Sequence, residues 1–318
     1  MKSFGIKEKS FTNQNINALL GTLGILVIIV LAIIASPDHA GLVDKSMDSS
    51  LRIDFINVGQ GDSILLRTPK GRNFLIDGGT NITEVEARKA GREAVHSYIR
   101  SLKVRKLDGL VITHWHNDHL SGLLPVLKQI NVAVIYEVPA GIKSDAYREY
   151  ETLCKRMNIK RTTVKAGQIL EWGDELFVQV LHPEDTYASE KASEINDDSV
   201  VLAVRYGKVQ TLLCGDIEED SEREILKYNE ALKSQIVKIP NHGADTSDYQ
   251  PFLKMVGARV GIISVGSNNP FKYPSNRTLE RYEALGTKIY RTDYNGNIHA
   301  VISGKDENDF HISVDRNL

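Results

Sequence analysis

Three histidines and one aspartate fall within six residues at Thr113-His114-Trp115-His116-Asn117-Asp118-His119, directly after the apolar run LDGLVIT. That run reads as a buried strand, so the cluster begins where a strand ends. Side chains two apart on an extended chain point to the same side, which brings His114 and His116 together. Asp118 and His119 follow at a strand-to-helix turn and can swing toward the same point. Neutral imidazole and carboxylate are ligands that zinc, manganese and iron accept. A solvated polar loop is the bland alternative, but the chain has nine histidines and places three of them here.

One loop cannot complete two coordination spheres, so partners are expected at other strand ends. Asp216 follows TLLC in Gly215-Asp216, His242 follows IVKIP in Asn241-His242-Gly243, and Asp77 stands in LIDGG. Each sits beside or near a glycine, where backbone can approach a site closely. Taken singly, such an acid is a turn former or a helix cap. Taken with the histidine cluster, and in this order, the three read as further site residues.

Around these positions the chain alternates as strands and helices do. LRIDFINV, SILLRT, NFLIDGG, LDGLVIT and VAVIYEV read as strands in the first half. LFVQVLH, VVLAVRYG, VQTLLCGD, IVKIP, VGIISVG, KIYRT and IHAVIS read so in the second. Helical spacing covers Val85–Leu102, Ser144–Met157, Glu219–Tyr228 and Asn276–Leu285, and a further helix starts near Asp118. Strands outnumber helices, and the helices fall between and after them. This suggests an α/β architecture of two sheets packed face to face with helices outside.

The N-terminus differs from the rest. From Ala18 to Ala35 there are eighteen residues without a charge, and with the flanking Ile16 and Ser36 the run is long enough to cross about 30 Å of hydrocarbon. Lys2, Lys7 and Lys9 precede it against Glu8, so the positive-inside rule keeps the N-terminus cytoplasmic and exports the remainder of the chain. The division expected is a cytoplasmic tail at 1–15, a transmembrane signal anchor at 16–36, a polar linker at 37–50 and one domain at 51–318. The small-x-small pattern that cleavage would need is poor at Ala35 and Ser36. With 39 Lys plus Arg against 41 Asp plus Glu the net charge is −2, so the molecule as a whole does not attract phosphate backbones. Cys154 and Cys214 are spaced neither as a disulfide framework nor as a zinc ribbon and read as small buried residues.

The order LIDGG, THWHNDH, GD, NHG is similar to the motif series of the metallo-β-lactamase superfamily. FINVGQGDSILL, LHP, NDDSVVL, LLCGDIE, IPNHG and SVGSNNPFKYPS with YRTDYNG resemble more narrowly the C-terminal hydrolase domain of the ComEC DNA-uptake competence proteins. The resemblance runs from about residue 51 to 303. It implies a four-layer αββα sandwich and two divalent ions, zinc or manganese. His114 and His116 would bind the first ion, Asp118, His119 and His242 the second, and Asp216 would bridge them, with Asp118 and Asp216 counted as catalytic. A hydroxide held between the ions would be the nucleophile. Asp77 would fix a ligand imidazole from behind. Asp62, Asp197, Asp198, Ser199, Asn269 and Tyr273 would support the ligands or meet the substrate. The competence proteins also carry a multi-helix channel, whereas one span is seen here, so a stand-alone, membrane-anchored relative is expected.

Two departures from the family pattern matter. The third histidine usual at the first ion is missing between the histidine cluster and Asp216. The one histidine there, His182, reads as a turn residue before Pro183. The first site is expected to be incomplete, or finished by Asp197, Asp198 or water, and its ion the weaker. Tyr273 stands where the family often has histidine, and a phenol there can hydrogen-bond a phosphate oxygen but cannot act as a base near pH 7. Gln60-Gly61-Asp62 reads as a tight turn near the site. Lys103, Arg105, Lys106, Lys155, Arg156, Lys160 and Arg161 read as a solvated face or a phosphate track. Phe271, Tyr273 and Tyr290 read as core or as stacking surface. His39, His96, His299 and His311 read as surface residues.

Three functions fit these residues. The first is an extracytoplasmic metal-dependent phosphodiesterase or nuclease, with a phosphodiester such as single-stranded DNA as substrate, the membrane reached through the N-terminal helix and no obligate protein partner. The second is a hydrolase of carboxylic esters, lactones or β-lactams. The third is a non-catalytic module that binds DNA or a cell-wall polymer.

Overall fold

The alternation read in the sequence folds as two sheets, seen in a computed structural model that describes residues 49–79, 94–141, 143–173, 175–185 and 194–316. The apolar run at 18–35, its flanks and His39 lie outside the described residues. Among those described, no helix is long and apolar enough to cross a membrane.

The first half of the chain gives β1 (Leu51–Phe55), β2 (Ile64–Arg67), β3 (Asn73–Ile76), β4 (Lys106–Leu107), β5 (Gly109–Val111), β6 (Asn131–Val132), β7 (Val134–Glu137) and β8 (Lys160–Thr163). The second gives β9 (Ile169–Leu170), β10 (Leu176–His182), β11 (Val201–Tyr206), β12 (Val209–Leu213), β13 (Ile236–Lys238), β14 (Val260–Ile263) and β15 (Lys288–Arg291). Then β16 (Ile298–Ile302) and β17 (Phe310–Val314) return to the first sheet, pairing beside β1. The eight-stranded order is β17-β16-β1-β2-β3-β5-β7-β8 and the seven-stranded order is β15-β14-β13-β12-β11-β10-β9, with β4 and β6 forming a small parallel pair.

Residue parity shows how the sheets are covered. On β11, Leu202 and Val204 belong to the large apolar cluster shared with β1, β2 and β3, whereas Val201 and Ala203 belong to a second cluster. That second cluster also holds Ile225, Phe252, Leu253, Val256 and Tyr282, from the helices Glu219–Ile225, Gln250–Val256 and Asn276–Ala284. One face of the second sheet therefore meets the first sheet and the other meets helices, as a period of two requires. Apolar residues of the helices Leu123–Gln129 and Asp145–Met157, and of the helical stretch 94–101, join the large cluster. The result is a mixed α/β sandwich with its strands between helices.

One histidine expected at the surface is not there, and another is only partly exposed. His96 is buried on the helical stretch, and His299 is half-buried, its Nδ1 2.8 Å from Oδ1 of the buried Asp54, which also accepts from Arg67. His311 is exposed. Cys154 and Cys214 are buried free thiols.

Beneath the second sheet lies a buried acid whose cost is measurable. Glu222 is fully buried; its Oε2 accepts from Tyr249 N at 2.8 Å, while Oε1 has no hydrogen-bond partner. Burial, with Asp248, Glu219 and Asp197 nearby, pushes its carboxyl from 4.5 up to about 8. Between those values the folded protein holds a proton that the unfolded chain releases, so stability falls as pH rises through that window and levels off above it. Melting curves from pH 5 to 9 are expected to show this decline in the parent protein. Glu222→Gln removes that part of the decline and is more stable at pH 9 by on the order of 1–3 kcal/mol.

Candidate metal centre

The site assembles where parallel strands end together. The pairing of β3 with β5, Ile76 opposite Val111, sets Asp77 beside Thr113. In the second sheet β12, β13 and β14 run parallel, and their ends lead into Asp216, His242 and Ser264. Two glycines permit close approaches at the site. Gly61 has φ +111°, and a Cβ there would stand 1.9 Å from the Asp118 carbonyl oxygen. Gly215 has φ +55°, and a Cβ there would stand 2.9 Å from Ser199 Cβ.

Asp118, His119, Asp216 and His242 are buried and each turns one ligand-type atom to within 4.8 Å of the others. Asp216 Oδ2 is 3.1 Å from His119 Nε2, 3.1 Å from His242 Nε2 and 3.8 Å from His114 Nε2. His242 Nε2 also lies 3.4 Å from Asp118 Oδ2. His116 Nδ1 is 3.1 Å from His114 Nε2, which extends the group to all six residues expected to bind metal.

Each inner imidazole is oriented from behind. His119 Nδ1 donates to Asp77 Oδ2 at 2.8 Å, and Asp77 is fixed in turn by the backbone N–H and hydroxyl of Thr113. His242 Nδ1 donates to Ser264 O at 2.8 Å. His114 Nδ1 lies 3.1 Å from Thr113 Oγ1 and 3.2 Å from Ser199 Oγ, and that serine also accepts from Asp216 N. These contacts leave all three Nε2 atoms facing Asp216, the arrangement by which outer partners set a metal-binding tautomer.

The electrostatics favour a cation. Burial opposes charge on Asp216, but His242 and His119 outweigh it and hold the carboxyl well below the usual range. Asp216 and Asp77 likewise raise His119 well above an ordinary imidazole against the cost of its burial. Asp216, Asp118 and Asp62 hold His242 at about 10, again against burial. Burial and the neighbouring His119 push His114 well down, leaving it a neutral ligand. Asp216 Oδ1 is buried with no hydrogen-bond partner, and His242 Nε2 meets the carboxylates of Asp216 and Asp118. A divalent cation can take the place of the protons that the carboxylates hold on His119 and His242, leaving imidazole nitrogens and carboxylate oxygens as donors, so these residues fit a metal.

The other expected residues divide. Asp62 is buried 3.6 Å from His242 Nδ1, its Oδ2 paired at 2.8 Å with the fully buried Lys238. Ser199 touches both His114 and Asp216 N. Tyr273 joins the cleft wall, whereas Asn269 ties its own loop, accepting from Tyr273 N and donating to Gly266 O and Tyr273 O. Asp197 does not reach the ligands: its Oδ1 accepts from Glu218 N and Ser221 Oγ at the start of the helix Glu219–Ile225. Asp198, half-buried, also stands outside the four-residue group. His182 turns away, with Nδ1 2.9 Å from Ser199 O. Asp197→Ala is therefore expected to cost about 1 kcal/mol in chemical unfolding, as loss of a helix cap does, with bound metal unchanged.

His116, Asp118, Asp216 and His242 line a cleft of about 300 Å³ together with Gln60, Asn117, Asn196, Asn241 and Phe271 among others. Phe271 is exposed and stacks on Tyr273 with ring centres 5.5 Å apart, whereas Tyr290 packs on the large core. Of the basic residues, Arg161 is held by Glu137 and Lys106 by Asp108. Gln60 was readable only as part of a turn, because its neighbours in space are distant in sequence.

Residues 56–188 match the family model described as Metallo-beta-lactamase superfamily. ComE operon protein 3 of Bacillus subtilis (strain 168) is 29% identical over 262 residues, which cover 79% of this chain and 33% of that protein. Competence protein ComA of Neisseria gonorrhoeae is 30% identical over 241 residues, covering 76% and 30% respectively. The chain thus spans about a third of the length of these curated relatives. The crystal structure of the metallo-beta-lactamase fold protein YhfI from Bacillus subtilis superposes with a TM-score of 0.51 at 12% identity, covering 76% of this chain and 96% of that one. Fold, ligand geometry and these matches agree: residues 56–188 carry a metallo-β-lactamase domain, and the chain is similar to the ComEC-type competence proteins.

Proposed function

We propose that the protein is a metal-dependent phosphodiesterase that acts on nucleic acid, single-stranded DNA first, outside the cytoplasmic membrane. The observation that carries this reading is the convergence of Asp118, His119, Asp216 and His242 at a cleft that Asp118, Asp216 and His242 line, with Asp216 Oδ1 unpartnered. Similarity to competence proteins supports a DNA-related substrate.

Asp118, His119, Asp216 and His242 would hold one divalent cation, and His114 and His116 with Asp216 a second. Zinc or manganese bound there supplies Lewis-acid polarisation of a phosphoryl oxygen and acidifies water. The chain's own residues do the rest. Asp77 and the Ser264 carbonyl keep His119 and His242 turned inward, so no reorientation is needed when substrate arrives. The exposed Phe271, stacked on Tyr273, offers a π-face on which a base can lie without sequence preference. Placement outside the membrane rests on the apolar run from Ala18 to Ala35 and the lysines before it.

The test is the full chain, in detergent, with bis-p-nitrophenyl phosphate and single-stranded DNA under added Mn²⁺ or Zn²⁺. Cleavage dependent on the metal is the expected result. Lack of turnover with every metal on every phosphodiester, or preferential hydrolysis of a β-lactam or carboxylic ester, rejects the reading.

A further inference from the structure

Gln60 lines the cleft, yet it is only 3% exposed, so little of it is offered to water. Its Oε1 accepts from the Gly266 backbone N–H at 3.2 Å, while Nε2 has no partner. The two ends of a carboxamide are opposite in function, so fixing Oε1 also fixes where the NH₂ points. The residue is wedged on both sides. Gly61 next to it lies against the Asp118 carbonyl, and a Cβ on Gly266 would stand 2.7 Å from Gln60 N.

A buried donor left unpaired costs more than a bond made elsewhere would return. The other three amides of the wall do not share this property: Asn117 is exposed, and Asn196 Nδ2 and Asn241 Nδ2 both donate to Glu218 Oε1 at 2.9 Å. The floor beneath carries the carboxylates of Asp118 and Asp216, which repel an anionic substrate. A neutral amide donor beside them can hold a non-bridging phosphoryl oxygen without adding charge.

We infer that Gln60 is a substrate-binding residue whose Nε2–H donates to a non-bridging oxygen of the bound phosphodiester. This rests on the function proposed above and names how the anion is recognised. The same amide ties the turn 59–62 to the loop that starts at Gly266 and carries Phe271 and Tyr273. Phosphate contact and base stacking are thereby held at a fixed separation.

Two variants of the full chain separate binding from tethering. Gln60→Glu keeps an acceptor for Gly266 N–H but loses the donor; Gln60→Met fills similar volume and loses both. Binding of a fluorescein-labelled single-stranded oligonucleotide, read by anisotropy, and KM for bis-p-nitrophenyl phosphate are measured for each, with the melting curve as a check on folding. Both variants are expected to weaken oligonucleotide binding and raise KM by about tenfold to a hundredfold, the effect of removing a hydrogen bond to a charged group, with kcat changed much less. Gln60→Glu behaving as the parent while Gln60→Met fails reduces Gln60 to a tether and overturns the inference. Parent-like behaviour of both overturns it as well. A parent protein that neither binds nor cleaves phosphodiesters rejects the function itself, a result distinct from active parent with unaffected variants.

Discussion

Asp216→Ala is expected to lower turnover by on the order of a thousandfold or more, as does removal of a group on which the whole reacting centre depends. Bound metal per chain should fall with it, measured by mass spectrometry on dialysed protein. Asp216 is the group that His114, His119 and His242 all face, at 3.8, 3.1 and 3.1 Å. The fold should survive the change. His119 and His242 are charged mainly because Asp216 and its neighbouring carboxylates hold their protons, and an imidazole that loses its carboxylate sheds the proton rather than remain a buried cation. Asp77→Asn makes the contrast. The amide leaves the ligands in place but disturbs how His119 is held, and losses of about 10–100-fold in metal affinity or activity are usual for such outer partners. If Asp216→Ala retained full metal and activity, the ligands would have to lie elsewhere.

The site was legible in the sequence because its residues sit at strand ends, and strand ends are where apolar runs stop. Asp77, His114, Asp216 and His242 could each be located by the run before it. The order of the motifs supplied what spacing could not, that these ends meet. Other features were hidden for physical reasons. Neither edge strand of the eight-stranded sheet carries such an apolar run: β8, Lys160–Thr163, is polar, and β17, Phe310–Val314, is no more than half-buried. An edge strand carries charge to discourage pairing with another chain, so it lacks the apolar pattern that marks a central strand. Lys160 and Arg161 therefore read as a basic face. The role of Asp197 was hidden because an acid in a short turn can serve a metal or a helix start equally well, and only its distance to Glu218 N and Ser221 Oγ decides. The pairing of His299 with Asp54 spans 245 positions, beyond anything local pattern can show.

Lys238→Met is expected to destabilise the protein by about 3–5 kcal/mol, the usual cost of leaving one partner of a buried ion pair alone. For a domain of this size that lowers the thermal midpoint by on the order of 10 °C. Lys238 is fully buried in β13, where Leu213 and Ile262 flank it on the neighbouring strands. Its Nζ reaches Asp62 Oδ2 at 2.8 Å and Ile239 O at 2.9 Å. Asp62 is 1% exposed, so water cannot replace the lost ammonium. The loss comes from the carboxylate left behind rather than from the contact itself, which gives a second, sharper expectation. The double variant Asp62→Asn with Lys238→Met removes the stranded charge and should recover most of the stability in urea unfolding, because replacing both members of a buried pair is often nearly neutral. Its metal affinity should nevertheless stay below that of the parent, since Asp62 stands 3.6 Å from His242 Nδ1 and Lys238 joins the turn bearing Asp62 to the strand that leads into His242. A double variant as unstable as Lys238→Met would mean that the pair holds the two segments together by its own attraction. A double variant stable and unchanged in metal affinity would mean that the buried charges have no bearing on the site beside them.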